Sequence, residues 1–338
     1  MKLVPYLVQS KLDPHKMQVY MKNNHYEPAT KPTLYFIGVT TSKSSIMNLF
    51  PKWANHLRLG DCQIKGFDFM PHDENSNYRE CVEFIKKDPL SKGALVTTHK
   101  IDLFLSCADQ FDYLDEHSTT MGEISCISKD GNKLLGHAKD PICSDLALKR
   151  ILPEDYWKEK SGEVLCLGAG GAAIAILYNL NRQKQNKDHP SKIFVTDIME
   201  SRLESIKQIY RKFDTNIPLE LHLCSEPKSN DKLTTNLKPH SLIINATGMG
   251  KDKPGSPFTR DVQYPHNSIV WELNYRGELI FLDQAEAQRS KKNLTIHDGW
   301  VYFIHGWFEV IAEVFKLDIK NSGDYFESLS EIAWSIRK

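Results

Sequence analysis

Short apolar runs recur along the chain between longer stretches whose apolar residues follow helical spacing. In the first half, the runs Thr33–Gly38, Asp61–Met70 and Gly93–Thr98 have the length of strands, and Asn77–Lys87 repeats apolar residues at helical intervals. Strands that alternate with helices favour a parallel sheet. The pattern therefore predicts an α/β unit with a parallel sheet in this half.

The second half of the chain repeats this alternation. Helical spacing covers Gly171–Asn181 and Glu200–Phe213, and the chain ends with an apolar helix predicted over Trp300–Phe315. The strand-length runs are Gly162–Gly168, Lys192–Asp197, Leu219–Cys224, Ser241–Asn245 and Ile269–Asn274. We predict a second α/β domain, with the last helix returning to the first domain and the active site in the cleft between the two.

Composition agrees with a folded protein of two domains. The chain has 338 residues, of which 41% are hydrophobic and 25% charged, which excludes disordered, collagen-like and disulfide-scaffold proteins. Lys+Arg and Asp+Glu number 43 each, so the formal net charge is zero. A neutral chain gives no general argument for nucleic acid or an anionic membrane as a partner, and we predict neither.

Cysteines and histidines bear on compartment and metal binding. The seven cysteines are scattered without a C-x-x-C pair, and the N-terminus has no apolar segment long enough for a signal peptide. Both observations favour a reduced, cytoplasmic protein. The thirteen histidines form no H-x-x-x-H or H-E-x-x-H pair, so no metal site is predicted.

The turn Gly168-Ala-Gly-Gly-Ala-Ala173 fits G-x-G-x-x-A directly after a predicted strand and at the start of a helix. Glycine lets the backbone approach a pyrophosphate closely, and the helix N-terminus offers free N–H groups and a partial positive charge. The alternative is a tight turn that binds no ligand. We predict a dinucleotide site formed by Gly168, Ala169, Gly170, Gly171 and Ala172.

The strand after this turn ends in Asp197, 29 positions beyond Gly168, whereas about 20 is usual for this motif. The polar loop Gln183–Pro190 accounts for the excess. An acidic residue here accepts hydrogen bonds from the ribose hydroxyls of NAD and repels the 2′-phosphate of NADP, so we predict that NAD is favoured over NADP. The alternative for Asp197 is a helix N-cap, and Arg202 keeps NADP open as the cofactor.

Seven motifs in a characteristic order together resemble the shikimate dehydrogenase family, including the quinate/shikimate dehydrogenases. They are Gly38-Val-Thr-Thr-Ser-Lys-Ser44, Val96-Thr-Thr-His-Lys100, Gly136-His-Ala-Lys-Asp140, the glycine turn, Asn245-Ala-Thr-Gly-Met249, Glu272-Leu-Asn-Tyr275 and Asp298-Gly299. The resemblance implies an α/β substrate-binding domain over 32–147, with 300–338 returning to it, and a Rossmann NAD(P)-binding domain over 148–299. It also implies a monomer or homodimer. Residues 1–31 form an N-terminal extension whose role is open.

Ketone reduction needs a group that handles a proton. Hydride transfer leaves negative charge on the oxygen, and an ammonium group both neutralises this charge and donates the proton. A nearby carboxylate keeps the ammonium charged. The resemblance assigns these two roles to Lys100 and Asp140. The alternatives are a solvated lysine after a strand and an aspartate that caps the helix before Pro141.

The resemblance also indicates how substrate and cofactor are held. Ser42 and Ser44 stand two apart, so in an extended loop both hydroxyls point the same way and bind a carboxylate; a Ser/Thr-rich turn or helix cap is the alternative. The other predicted substrate-binding residues are Thr97, Ser125, Tyr275 and His305. The further predicted cofactor contacts are Asn245, Ala246, Thr247, Gly248, Met249 and Gly299.

The chain departs from the family pattern where the family carries side-chain amides for ring hydroxyls. Asn is replaced by Leu95, Ser125 and Ala138, and Gln by Gly306, while Gly-Ala-Val before the second Asn is here Gly122-Glu-Ile. A site built for a polar group discriminates strongly for it. We therefore predict a dehydrogenase for a cyclic hydroxy acid or a cyclitol whose hydroxyl pattern differs from that of shikimate.

Two other functions stay open from the sequence. One is a non-catalytic sensor that keeps the fold and the cofactor pocket. The other is an enzyme similar to methylenetetrahydrofolate dehydrogenase/cyclohydrolase on a related two-domain fold.

Overall fold

Two parallel-rich sheets organise the chain in the computed structural model, which describes residues 26–158, 160–182, 188–251 and 253–337. Helices cover both sheets, so the predicted α/β fold class is confirmed. The first 25 residues of the predicted N-terminal extension lie outside the described residues, as do 183–187 of the polar loop.

The first sheet has the strand order β2-β1-β3-β5-β6-β4. Its strands are β1 (Thr33–Gly38), β2 (Gln63–Asp68), β3 (Ser91–Val96), β4 (Tyr113–Leu114), β5 (Cys126–Asp130) and β6 (Lys133–His137). The helices of this part are α1 (Ile46–His56), α2 (Asn75–Lys87), α3 (Lys100–Cys107), α4 (Glu116–Met121) and α5 (Asp140–Ile151). Every residue of β1 is buried, as expected for a central strand covered on both faces.

This sheet is mixed, so the prediction of a parallel sheet in the first half is wrong in part. Strand β1 runs parallel to β2 and β3, but β5 pairs antiparallel with β3 and with β6. A two-residue loop joins β5 to β6, and its first residue is Gly131 at φ +58°. The loop Gly131-Asn132, with glycine at its first position, is a hairpin signal, so this pair of strands was visible in the sequence.

The second sheet is parallel throughout, in the order β12-β11-β10-β7-β8-β9. Its strands are β7 (Val164–Leu167), β8 (Ile193–Asp197), β9 (Leu219–Leu223), β10 (Leu242–Asn245), β11 (Ile269–Glu272) and β12 (Thr295–His297). Its helices are α6 (Gly171–Arg182), α7 (Glu200–Tyr210), α8 (Pro227–Asn236), α9 (Ile280–Glu286) and α10 (Arg289–Lys292). The strand order reverses between β7 and β10, and ligands of such sheets bind outside the carboxyl ends at this point.

The last two helices, α11 (Trp300–Val314) and α12 (Gly323–Ile336), pack against the first sheet. Trp307 of α11 meets Phe36 of β1 edge to face, with the ring centroids 5.0 Å apart. The indole N–H of Trp53 in α1 donates to the carbonyl of Leu329 at 2.9 Å. The chain therefore crosses from the first sheet to the second and back, which places a cleft between them.

A buried polar contact joins α5 to α6 at the base of this cleft. The Asn179 side-chain amide donates to the carbonyl of Pro141 at 2.6 Å and to the hydroxyl of Ser144 at 2.8 Å. Because buried amides are costly when unsatisfied, this contact fixes the start of α5 against the second sheet. Among the helices of the described ranges, none has the length and apolar character needed to cross a membrane.

Candidate active site

Lys100 and Asp140 form a buried ion pair in the cleft. Each is the first residue of its helix, α3 and α5, and Lys100 Nζ donates to Asp140 Oδ2. The two side chains are only 16% and 9% exposed. Burial lowers the pKa of Lys100, but the acidic neighbours, Asp140 first and then Glu123, raise it, and the net shift is upward. Lys100 is therefore a charged, mostly buried ammonium group and not a solvated surface lysine.

A second carboxyl, that of Glu123, lies beside this pair and was not among the predicted site residues. Its side chain is fully buried, and neither of its oxygens has a hydrogen-bond partner among the described residues. A Cβ built at Gly171 would lie 2.1 Å from Glu123 Oε2. The sequence signal was present, because an acidic residue stands where the family carries alanine.

A pocket opens at the carboxyl ends of β1 and β3 and is closed by residues that follow β11. The hydroxyl oxygens of Ser44 and Tyr275 lie 3.2 Å apart in it, and Thr97 forms part of its wall. The other lining residues are Phe36, Val39, Thr40, Thr98, Lys251, Arg276, Phe303 and Trp307. The pocket therefore combines hydroxyl groups, two cations and four aromatic rings, a combination that suits a flat ring carrying an anionic group.

Three predicted substrate residues lie elsewhere than expected. Thr41–Lys43 forms a 3₁₀ turn and not an extended loop, so Ser42 is exposed and does not line the pocket. Ser125 is buried, and its hydroxyl accepts the backbone N–H of Lys139 at 2.7 Å, just before Asp140. It holds the start of α5 in place.

His305 lies in the core between α11 and α12. Its Nδ1 is 2.9 Å from Asn321 Oδ1, and its ring stacks on Phe326 with centroids 4.1 Å apart. Successive helix residues are rotated by about 100° around the axis, so a neighbour in sequence faces another direction. The neighbouring Gly306 does face open space, because a Cβ built there meets no described atom within 4 Å.

The glycine turn has the shape of a phosphate cradle. Gly168 has φ +101°, and a Cβ there would lie 2.7 Å from the carbonyl oxygen of Ala246. At Gly170 a Cβ would meet no described atom within 4 Å. The helix α6 begins at Gly171, and Ala172 lies half-buried in its first turn, where the backbone N–H groups have no partner within the helix. The turn therefore fits the pyrophosphate of a dinucleotide.

The turn after β10 lies against this cradle. Asn245 is fully buried: its amide donates to Glu272 at 2.5 Å and its oxygen accepts from the Thr247 hydroxyl at 2.7 Å. Asn245 thus shapes the turn from beneath. Thr247, Gly248 and Met249 are each half-buried at its rim.

Gly299 has a packing role in the structure. A Cβ there would lie 1.9 Å from the carbonyl oxygen of Leu273, and its N–H donates to the carbonyl of Asn274. Glycine is therefore required where α11 begins, close to the backbone that follows β11. Within the ranges that the structure describes, no group of three or more His, Cys, Asp or Glu side chains could hold a metal ion.

Comparison with known proteins adds the family. No protein-family model matches the chain. It is 28% identical to a shikimate dehydrogenase (NADP(+)) of Caldicellulosiruptor saccharolyticus over 63% of this chain and 70% of that one. It is 26% identical to the enzyme of the same name from Caldicellulosiruptor bescii, over 73% and 77% of the two chains.

Solved structures share the fold over nearly the whole chain. A shikimate dehydrogenase from Aquifex aeolicus aligns with a TM-score of 0.66 and 20% identity, covering 91% of this chain and 99% of that one. A quinate dehydrogenase from Corynebacterium glutamicum, solved in complex with NAD, aligns with a TM-score of 0.65 and 17% identity, covering 90% and 99%.

The predicted preference for NAD over NADP is wrong, because the relatives are NADP(+) enzymes by name. The structure gives a physical reason. The two carboxylate oxygens of Asp197 accept the backbone N–H groups of Ala169 at 2.8 Å and Met199 at 2.9 Å. Asp197 thus ties the glycine turn to the end of β8, which is close to the capping role named as its alternative.

The sequence relatives and the shared fold agree with the order of motifs along the chain. The sequence relatives confirm the predicted resemblance to the shikimate dehydrogenases, which indicates an NAD(P)-dependent oxidoreductase, and the solved structures confirm the shared fold.

Proposed function

We propose that the chain interconverts a ring hydroxyl and a ketone on a cyclic hydroxy acid, exchanging hydride with NADP(H). The observation that carries this proposal is the buried Lys100–Asp140 ion pair, which lies beside the first residue of α6, next to the glycine turn. Lys100 follows the pocket residue Thr98 by two positions, and its Cδ is 3.8 Å from the Cβ position built at Gly171.

The cofactor is held by backbone groups. The N–H groups at the start of α6 would hold the pyrophosphate, and the rim residues Thr247, Gly248 and Met249 would belong to the same site. When bound, the dinucleotide supplies or accepts the hydride. All other steps fall to side chains of this chain.

Lys100 handles the proton. During reduction its Nζ donates a proton to the substrate oxygen as negative charge develops there, and during oxidation the neutral amine takes the hydroxyl proton. The Asp140 carboxylate accepts a hydrogen bond from Nζ, so it orients the ammonium and favours its charged form. Because both side chains are mostly buried, bulk water screens this interaction little.

The pocket selects the substrate. The hydroxyls of Ser44 and Tyr275, with the charges of Lys251 and Arg276, suit a carboxylate, which favours a ring acid over an uncharged cyclitol. The rings of Phe36, Phe303 and Trp307 offer apolar surface to the rest of the molecule.

The positions that lost amides add to this selection. Leu95 and Ala138 are buried and apolar, and Gly306 has no side chain. By the resemblance, the family carries amides for ring hydroxyls at these three positions, and this chain offers none there. We propose a substrate with fewer ring hydroxyls than shikimate.

The test is NADP(+) reduction by the purified protein. Shikimate, quinate, ring acids with one or two hydroxyls, and cyclitols are compared by kcat/KM. The expected result is turnover that is best with a ring acid poorer in hydroxyls. Turnover that is best with shikimate contradicts the proposed selectivity, and turnover of a folate alone contradicts the reaction. NADPH binding without turnover of any ring compound supports the sensor function instead.

A further inference from the structure

We propose that Glu123 is a positioning residue for the dinucleotide: its buried carboxyl, set between the Lys100–Asp140 pair and the start of α6, admits a pyrophosphate only while it carries its own proton. The inference rests on the proposed function, because it assumes that α6 is the cofactor-binding helix. It goes further by assigning a role to a carboxyl that the reaction does not use.

The first support is burial without a partner. Glu123 is 0% exposed, and both carboxyl oxygens lack a hydrogen-bond partner among the described residues. Buried carboxylates are normally paired or hydrogen-bonded, because an isolated charge in the interior is very costly. A buried carboxyl that lacks both kinds of partner is therefore favoured as the neutral acid.

The second support is position. The Cβ point built at Gly171 lies 2.1 Å from Glu123 Oε2 and 3.8 Å from Lys100 Cδ. Because both distances start from one point, the carboxyl, the lysine stem and the first residue of α6 are close neighbours. Any larger residue at Gly171 would displace the Glu123 carboxyl.

The third support is the set of charges around the carboxyl. Burial, together with the Asp140 and Asp115 carboxylates and against the opposing charge of Lys100, raises the pKa of Glu123 to about 8. From α11, the hydroxyl of Tyr302 also faces this cluster, and burial together with Asp140 raises its pKa. One ammonium thus faces two carboxyls, and the balanced state keeps the proton on Glu123.

The consequence is a linkage between pH and cofactor binding. A pyrophosphate at the start of α6 brings negative charge close to Glu123, in a region of low dielectric. Binding therefore favours the protonated carboxyl, and it weakens as the pH rises through the Glu123 titration. For a group that titrates near pH 8, the affinity falls about tenfold between pH 7 and pH 9.

The test is the Kd of NADPH, measured by its fluorescence at pH 7, 8 and 9. The 2′-phosphate stays ionised over this range, since its second pKa is near 6. The variant Glu123→Gln keeps the shape of the neutral acid and cannot ionise, and we expect a nearly constant Kd. The exposed Glu116 supplies the control: Glu116→Gln should retain the wild-type loss of affinity.

A wild-type Kd that does not change with pH, or an equal slope in Glu123→Gln, overturns the inference. Neither result touches the proposed function, which fails instead if NADPH does not bind at any pH. If Glu123→Gln does not fold, Glu123→Ala restores the residue that the family carries and is expected to give the same flat profile.

Thermal unfolding supplies an independent readout. The raised pKa of Glu123 in the folded chain means that its contribution to stability is full below about pH 4.3 and is lost as the pH rises toward 8. Glu123→Gln escapes this loss. Its Tm should therefore exceed that of wild type by several degrees at pH 8 and by much less at pH 5. A Tm below that of wild type at both pH values shows a purely structural carboxyl and overturns the inference.

Discussion

The cofactor side and the substrate side of the cleft differ in how they are built. On the proposed cofactor side, backbone groups form the site. Gly168 has a φ of +101°, which favours glycine, and the space beside Gly170 is open. On the substrate side, individual side chains line the pocket, and the departures from the family pattern, at Leu95, Ser125, Ala138 and Gly306, lie outside that lining. This contrast supports the proposal that the chain keeps the redox chemistry of its relatives and acts on a different substrate.

The largest expected effect is a loss of NADPH binding when a glycine on the cofactor side is replaced. Gly168→Ala forces a Cβ against the carbonyl of Ala246 at φ +101°, a strain of about 2 kcal/mol. Because the two cofactor turns meet there, we expect NADPH binding to weaken roughly 100-fold, or about 2.7 kcal/mol. Fluorescence titration and urea unfolding measure both effects.

Gly170→Ala is the matched variant for this comparison. A Cβ there meets no described atom and needs no unusual φ, so the free energy of unfolding should change by less than about 0.5 kcal/mol. Binding should still weaken, because the methyl group occupies space meant for the pyrophosphate. Unchanged binding in this variant contradicts the cradle.

The next effect concerns the substrate side. Gly306→Gln returns an amide to a position of α11 that has open space. If lost amides explain the selectivity, kcat/KM for shikimate should rise by about tenfold, or 1.4 kcal/mol. Gly306→Ala is the control, and it should stabilise the helix by up to about 1 kcal/mol without this gain. An equal gain in both variants shows that the amide is not the cause.

The smallest effect concerns Asp197. Asp197→Asn keeps the shape but places an amide against one of the two backbone N–H groups, so stability should fall by about 1 kcal/mol. The ratio of NAD to NADP turnover should stay within about twofold of the wild-type ratio, because both carboxylate oxygens of Asp197 already accept backbone N–H groups. A large shift of this ratio returns Asp197 to the role of cofactor selector.

Much of the fold could be predicted from periodicity and glycine placement. Strand β1 was predicted over Thr33–Gly38 and is found there, because a fully buried strand is a continuous apolar run. The antiparallel pair β5 and β6 was missed, although Gly131-Asn132 marks its turn. Regular patterns are visible in a sequence, while strand direction depends on turns and on pairing distant in sequence.

The site could be predicted less completely. The sequence indicated Lys100 and Asp140 through their motifs, and the structure brings them together although they are 40 positions apart. Glu123 was visible only as an acidic residue in place of the family's alanine, because its role depends on its burial and on Gly171 from the other half of the chain. The sequence also placed His305 at the site, because helix rotation cannot be read from a neighbouring position alone.

The proposed proton transfer by Lys100 is tested most directly by measuring turnover and NADPH affinity together in Lys100→Ala. Surface residue Lys149, paired only with Asp145 four positions before it among the described residues, supplies the control Lys149→Ala. We expect kcat in Lys100→Ala to fall by roughly 10³-fold while the Kd of NADPH changes less than about threefold. Retained turnover in Lys100→Ala contradicts the role of Lys100, and a parallel loss of NADPH binding places it in cofactor binding instead.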